Sequence, residues 1–272
     1  MKFKFTVLLG CLLQLQNFAG YCSSDYFQLG SDSIPVTLFL PAISNTYQAD
    51  KTPGINWKQK SRYVLPALLV GYGFTSLNKG FTRRTDLHIQ QKLSEVYPHF
   101  STTLDDKLQY APAASVYTLD LMGVKSRNNL LDRTALYLIS NSIMGISVNY
   151  LKGKTDRLRP SGTNSHSFPS GHTATAFVGA EFMMQELGET SPWYGYAGYT
   201  MATATGALRM MNDKHWLSDV LAGAGIGILS TKLTYLAYPW IKTKLLKNNK
   251  ANFIAAPVVQ GNITGFSLMA PL

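Results

Sequence analysis

Three short segments of this chain carry residue types that could handle a phosphoryl group: Lys152 through Arg159-Pro160, then Pro169-Ser170-Gly171-His172, then Arg209 followed by His215 and Asp219. His215 and Asp219 stand four apart on a stretch of helical spacing, so they are expected to share a face. The carboxylate would hold one ring nitrogen protonated while the other meets a substrate. A nucleophilic histidine is oriented in that way, although an ordinary histidine and carboxylate pair on a helix has the same spacing. The Pro169–His172 segment precedes an apolar run from Thr173, so Ser170 is placed to cap a helix. That turn would also offer an anion free backbone N–H groups and a positive dipole end, with Gly171 allowing close approach. His172 would then stand where it can protonate a leaving oxygen. Lys152, Arg159 and Arg209 taken singly are surface cations; together they would supply charge and forked donors to phosphoryl oxygens.

The elements that must position these residues are helices. From Arg62 to Lys247 apolar residues recur at helical spacing, with breaks expected near Lys79-Gly80, Pro98, Pro112, Arg159-Pro160, Pro169 and Ser191-Pro192. The fold class is therefore all-α, a helical bundle. Gly223, Gly225 and Gly227 in the last long helix read as positions where a neighbour packs closely. After the bundle, Phe253–Val259 and Ile263–Leu272 are strand-like on either side of Gly261-Asn262, which predicts a short C-terminal β-hairpin. A lone hairpin cannot close a membrane barrel, so it must pack on the bundle, pair with another chain or touch a membrane surface. The chain divides into a signal peptide (1–20), an N-terminal arm (21–60), a catalytic helical domain (61–250) and the hairpin tail (251–272).

Of 272 residues, 46% are hydrophobic and 15% charged, a balance that excludes disorder by composition and a coiled coil. Lys2 and Lys4, the apolar run Phe5–Leu15 and the small Ala19 and Gly20 fit a secretory signal. Leu8-Leu9-Gly10-Cys11 has the look of a lipoprotein box, but the apolar run before it is very short. Cleavage after Gly20 would leave Cys22 alone, with no intramolecular disulfide to form. The formal charge is +10, or +8 without Lys2 and Lys4, with a cluster at Lys242, Lys244, Lys247 and Lys250. That cluster reads as a solvated helix end or a lipid-binding patch. Nucleic acid is not an expected partner, since no binding module is recognisable. Tyr63–Leu77, Ser191–Leu208 and Val220–Trp240 are the nearest approaches to a membrane span, each short, rich in small polar residues or interrupted by Lys232. The mean hydropathy of −0.02 points to a soluble or peripheral domain.

In this order and spacing the three segments resemble the type 2 phosphatidic acid phosphatase family, which includes bacterial acid phosphatases and vanadium haloperoxidases. Its pattern is Lys, six residues, Arg-Pro; then Pro-Ser-Gly-His; then Ser-Arg, five residues, His, three residues, Asp. Lys152 to Pro160, Pro169 to His172 and Arg209 to Asp219 match it, and the resemblance of the helical core runs from about residue 105 to 240. Leu208 departs, standing where the family usually has Ser, which puts one hydrogen bond in question rather than the chemistry. The resemblance implies that Lys152, Arg159 and Arg209 bind phosphate with Ser170 and Gly171. It implies also that His215 attacks phosphorus, Asp219 orients His215 and His172 protonates the departing alcohol. Water then releases phosphate from a phosphohistidine, with no metal or cofactor. The core from Tyr110 through Leu229 is similar to envelope phosphatases of Bacteroidetes-type bacteria, which favours a lipid phosphate (phosphatidate, undecaprenyl diphosphate or lipid A type) over a small ester as substrate. Export to the periplasm or the surface of an envelope membrane follows, with peripheral membrane contact open.

Other readings are weaker. Gly153-Lys154-Thr155 ends like a P-loop, but Val148 stands where its first glycine should be. His88, His99, His166, His172 and His215 show no zinc-ligand spacing. A vanadium haloperoxidase would use the same cradle but is usually a much longer chain, and a broad-specificity acid phosphatase shares every motif. A non-catalytic envelope binding module would not need the motifs intact.

Overall fold

Where each helix stops decides where the motifs stand. The computed structural model describes residues 57–78, 80–248, 254–260 and 263–269; the signal segment, residues 21–56 of the arm and both cysteines lie outside them. Eight helices follow in order: α1 (Trp57–Thr75), α2 (Phe81–Val96), α3 (Leu104–Leu108), α4 (Ala111–Leu121), α5 (Leu130–Thr155), α6 (Gly171–Leu187), α7 (Pro192–Met211) and α8 (Leu217–Asn248). The all-α bundle expected from the spacing is what forms, and its first helix begins at Trp57, inside the segment read as arm.

Each expected break separates two helices, and Pro112 and Pro192 open α4 and α7, where a missing N–H costs nothing. Two further breaks were not anticipated. Gly123, at a φ of 88° that suits glycine, turns the chain after α4. Asn129 then caps α5, its side chain accepting from the Asp132 N–H at 2.9 Å. The second break, at residues 212–216, lies inside the stretch read as one helix. There Asp213 takes a φ of 54°, a conformation that Asp tolerates better than most residues.

The helix α6 is central, packing on α4, α5, α7 and α8, while α1 covers α8. Its buried face joins Phe182, Met183 and Leu187 to Ala113 and Val116, and Ala174 and Val178 to Met144, Val148 and Ile226. The glycines of α8 make close approach possible. A Cβ at Gly223 would lie 2.5 Å from the Ser170 carbonyl oxygen, at Gly227 2.4 Å from that of Ala174, and at Gly225 2.5 Å from that of Pro66. Gly223 and Gly227 therefore admit α6 and Gly225 admits α1, which bears out the packing reading.

Leu217–Lys244 is long and apolar enough to cross a bilayer, yet 61% of its most apolar window is buried inside the bundle. Lys232, the interrupting charge, is neutralised there by Glu181 at 2.7 Å. Of the basic cluster, Lys242 pairs with Asp132 at 2.6 Å and Lys244 sits over the Trp240 ring. Beyond the bundle, β1 (Ile254–Gln260) runs antiparallel to β2 (Ile263–Met269). The connecting Gly261-Asn262 and the side chains of both strands lie outside the described residues, so the packing of the hairpin stays an expectation.

Candidate active site

Four helix ends bring the motif residues together: the last turn of α5, the first turns of α6 and α8, and the last turn of α7. Lys152 lies in the last turn of α5, where a cation meets the negative end of the helix dipole. Asp156, at a φ of 43°, terminates that helix and starts the loop carrying Arg157 and Arg159. Ser170 caps α6 from outside, its side chain accepting from the Thr173 N–H, while its own N–H donates to the Asp219 carbonyl at 3.0 Å. Gly171 and His172 form the first turn. Arg209 lies in the last turn of α7 and Asp219 in the first turn of α8.

His215 and Asp219 do not share a helical face. His215 precedes α8, and Trp216 stands immediately before its first residue, its carbonyl accepting from the Val220 N–H and its N–H donating to Asp219 Oδ2 at 2.9 Å. Asp219 thus caps its own helix, and its Oδ2 stands 3.7 Å from His215 Nδ1, beyond hydrogen-bond reach. The ring is held instead by the Ser167 carbonyl, 2.8 Å from Nδ1. A carbonyl only accepts, so Nδ1 must carry the proton and Nε2 keeps its lone pair. Burial, together with Lys152 and Arg209 and against the pull of Asp219, brings this imidazole down to about 4. At neutral pH it is uncharged, with the lone pair of Nε2 available to an electrophile.

Asp219 is fixed from several sides. Its Oδ1 accepts from Arg157 Nη1 at 2.7 Å, and Ser167 Oγ donates to its Oδ2. Burial alone would raise the carboxyl, but His215, Arg157 and Ser167 outweigh it and hold it below the usual range. Arg157 in turn reaches Asp86 on α2 at 2.6 Å, Ser218 Oγ at 2.8 Å and Ser76 Oγ at 3.0 Å. Asp86 accepts from the N–H and the hydroxyl of Ser218 at 3.0 and 2.6 Å. The whole cluster is buried, so each member depends on the others for its hydrogen bonds.

The expected cations gather around His215. Lys152 donates to the His166 carbonyl at 2.7 Å, and burial, Arg159 and Arg209 push its ammonium down to about 8. Arg159 is lowered by burial and by Arg209. Arg209 Nη1 pairs with Asp105 Oδ2 at 2.7 Å, whose other oxygen accepts from Asn212 at 3.1 Å. The Nε atoms of Arg159 and Arg209 are buried without a hydrogen-bond partner among the described residues. Such donors are costly to leave unpaired, and an anion would satisfy them. His172 Nε2 meets Asp106 Oδ1 at 2.8 Å. Burial and Arg209 lower this imidazole below its ordinary value while Asp106 opposes them.

All eight expected site residues therefore stand at one end of the bundle. Sequence reasoning missed Arg157, Asp86, Ser167, Asp105 and Asp106. Arg157 and Ser167 lie inside or beside quoted motifs, but Asp86 meets Ser218 across 132 residues, and no local pattern announces that. The turn-prone Asn212-Asp213 pair was the available signal that α7 ends before His215. Half-buried Leu208, in place of the usual serine, contributes its carbonyl to Asn212 N at 2.9 Å. Among the described residues no three His, Cys, Asp or Glu side chains converge as a metal site.

Known proteins resemble parts of this chain. A lipid A 1-phosphatase of Porphyromonas gingivalis is 40% identical over 150 residues, which are 55% of this chain and 33% of that protein. The chain thus spans about a third of the length of the curated relative it matches. Among solved structures, LpxE of Aquifex aeolicus is 20% identical, with 53% of this chain and 93% of that chain covered and a TM-score of 0.41. A transmembrane PAP2-type phosphatidylglycerolphosphate phosphatase of Bacillus subtilis is 18% identical, with 72% and 99% covered and a TM-score of 0.45; both are partial likenesses. The family model of the PAP2 superfamily matches residues 133–243, from the first turn of α5 to near the end of α8's apolar part; that stretch, which holds all three motif segments, is what this chain shares with the family.

Proposed function

We propose that this chain hydrolyses the phosphate ester of a membrane lipid through a phosphohistidine on His215. The observation that carries this reading is the hydrogen bond from His215 Nδ1 to the Ser167 carbonyl. It leaves Nε2 unprotonated among Lys152, Arg159 and Arg209. Those cations and the α6 N-terminus at Ser170-Gly171 would hold the equatorial oxygens, where a phosphoryl transition state spreads its charge. Asp219 would stabilise the imidazolium character that develops as the P–N bond forms, acting at 3.7 Å. His172 would protonate the alcohol oxygen as it leaves, and afterwards deprotonate the water that releases phosphate. No metal ion or cofactor enters these steps.

A lipid substrate is supported by the activity named for the Porphyromonas gingivalis relative and by the surface. Leu131, Leu138, Ile146 and Tyr150 of α5 are exposed along the helix whose last turn carries Lys152, and an apolar face beside a phosphate cradle suits an ester standing at a membrane surface. The site of action we propose is the periplasmic surface of an envelope membrane, in line with the signal-like N-terminus.

Phosphate release in EDTA, with a lipid phosphate and a small aryl phosphate offered in parallel and His215→Ala alongside, tests the reading. Release that survives chelation, is lost in the variant and favours the lipid is expected. Preference for the aryl ester would make the protein a broad acid phosphatase; equal release by the variant would contradict the histidine mechanism.

A further inference from the structure

The proposed acid His172 is not alone. Asp106, on the short helix α3 preceding the matched region, places Oδ1 2.8 Å from His172 Nε2 and 3.5 Å from Arg209 Nη1. Its neighbour Asp105 is buried and anchors Arg209 at 2.7 Å. The two carboxylates divide the work: one fixes a phosphate-binding arginine, while the other, with its side chain 54% exposed, sits at the mouth against the histidine.

From this geometry we infer that Asp106 is the positioning carboxylate of His172, forming a second histidine and aspartate pair facing His215 and Asp219. This inference rests on the phosphatase reading. An ionised carboxylate only accepts, so Nε2 carries the proton shared with Asp106 and Nδ1 is the nitrogen turned to the leaving group. In the first step the P–O bond to the alcohol breaks as the bond from phosphorus to His215 Nε2 forms. The Nδ1 proton of His172 passes to the departing oxygen, giving a neutral alcohol, a phosphohistidine and a neutral His172. Water then loses a proton to Nδ1 as its oxygen displaces His215 from phosphorus, which restores the acid. Asp106 exchanges no proton with the substrate; by accepting from Nε2 it favours the imidazolium that the first step requires.

The charged groups acting on His172 are Asp105 and Asp106 from α3 and Arg209 from α7. Lys152 from α5 and Asp219 from α8 act on His215 across the site. Burial and Arg209 disfavour the imidazolium and keep it below its ordinary value, and Asp106 is the neighbour in contact that opposes them.

The test uses the full chain, with Asp106→Asn and Asp106→Glu beside wild type, and two readouts. Titration of the His172 imidazole by NMR, assigned with His172→Gln, should move to lower pH in Asp106→Asn and return in Asp106→Glu. Phosphate release from an alkyl or lipid phosphate, whose alkoxide needs a proton to leave, should fall on the order of 10²-fold in Asp106→Asn. Release from p-nitrophenyl phosphate, whose leaving group needs little help, should fall less than about threefold, and the basic limb of the alkyl profile should shift to lower pH. An unmoved His172 titration overturns the proposal, and so does an equal loss on both esters. Wild type that hydrolyses neither ester overturns the phosphatase reading and Asp106's catalytic use with it, while the titration still decides whether the two side chains are paired.

Discussion

The two ends of α6 are both lined with buried polar groups, yet they are organised to opposite ends. The helix has 17 residues, about 25 Å of rise. Towards its C-terminus Glu181 accepts from Lys232 and Gln185 at 2.7 Å each and from the Tyr199 hydroxyl. Glu186 accepts from the backbone and side chain of Asn128 and from Tyr235. Burial and these carboxylates raise the Tyr199 and Tyr235 hydroxyls above their ordinary range, so they stay protonated donors. A cavity of about 200 Å³ lined by Arg62, Tyr63, Arg127, Gln185, Lys232 and Tyr235 opens beside that cluster. There the anions belong to the protein, and the surrounding donors are used on them.

At the N-terminal end the protein supplies cations in excess and leaves donors unused. Asp219 and Asp86 are engaged by Arg157, Ser167 and Ser218, and the Nε atoms of Arg159 and Arg209 have no acceptor among the described residues. Unpaired guanidinium nitrogens are not by themselves a signature of the site. Arg83 and Arg133 also carry them, but those groups lie over the rings of Trp216 and Tyr117, whose faces attract the charge. What separates the ends is that the donors of one cluster are used on the protein's own carboxylates, whereas at the other the Nε atoms of Arg159 and Arg209 are buried with no acceptor among the described residues, which is where the proposed phosphate would bind.

That comparison breaks most severely at Arg157. Arg157→Ala leaves Asp86 and Asp219 buried without their cation, and loss of one partner of a buried pair costs about 3–5 kcal/mol. Urea unfolding should show that loss, and kcat should fall as well because Asp219 is no longer fixed. At the far end, Glu181→Gln should cost about 1–3 kcal/mol in the same unfolding measurement and leave kcat/KM unchanged. A matching fall in kcat/KM would mean that the two ends are coupled.

The pH response belongs to the N-terminal end. The proposed mechanism requires a neutral His215 and a protonated His172, so kcat/KM should form a bell. Its acid limb lies near 4, set by His215, and its basic limb below an ordinary imidazole value of about 6.5, set by the lowered His172. Stability should follow His215 in a defined direction. Between an unfolded value of about 6.5 and the folded value of about 4, the unfolded chain binds a proton that the folded one refuses. Stability therefore rises with pH across that window and is lost on acidification. His215→Asn should flatten the slope, as seen by thermal unfolding at several pH values. The smallest effect is expected at Leu208→Ser, which restores the usual motif residue on a half-buried turn and should change kcat/KM by less than about threefold, roughly 0.6 kcal/mol.

The sequence made one half of this site legible and hid the other. Lys152, Arg159, Ser170, Gly171, His172, Arg209 and Asp219 were readable because helix ends are local events, written in caps, prolines and charges within a few residues. The relation between His215 and Asp219 was misread because a spacing of four fits both a helical face and a helix capped by its own third residue. Settling it required knowing that the chain turns at Asp213. Arg157, Asp86, Asp105 and Asp106 were hidden for a different reason. Each acts through a partner on another helix, as Asp105 does on Arg209 across 104 residues, and only packing reveals such pairs. The glycines of α8 fall between: their close approach was expected, but that Gly223 meets the Ser170 carbonyl, and so seats the turn of the site, was not.

The most direct test of the central claim is to quench the protein during turnover of a radiolabelled phosphate ester and map the label. An acid-labile, base-stable phosphohistidine at His215 is expected, absent from His215→Ala and accumulating when His172→Gln slows its hydrolysis more than its formation with an aryl phosphate. Phosphate release by wild type with no label on His215 under any quench condition, or label on another residue, would contradict it.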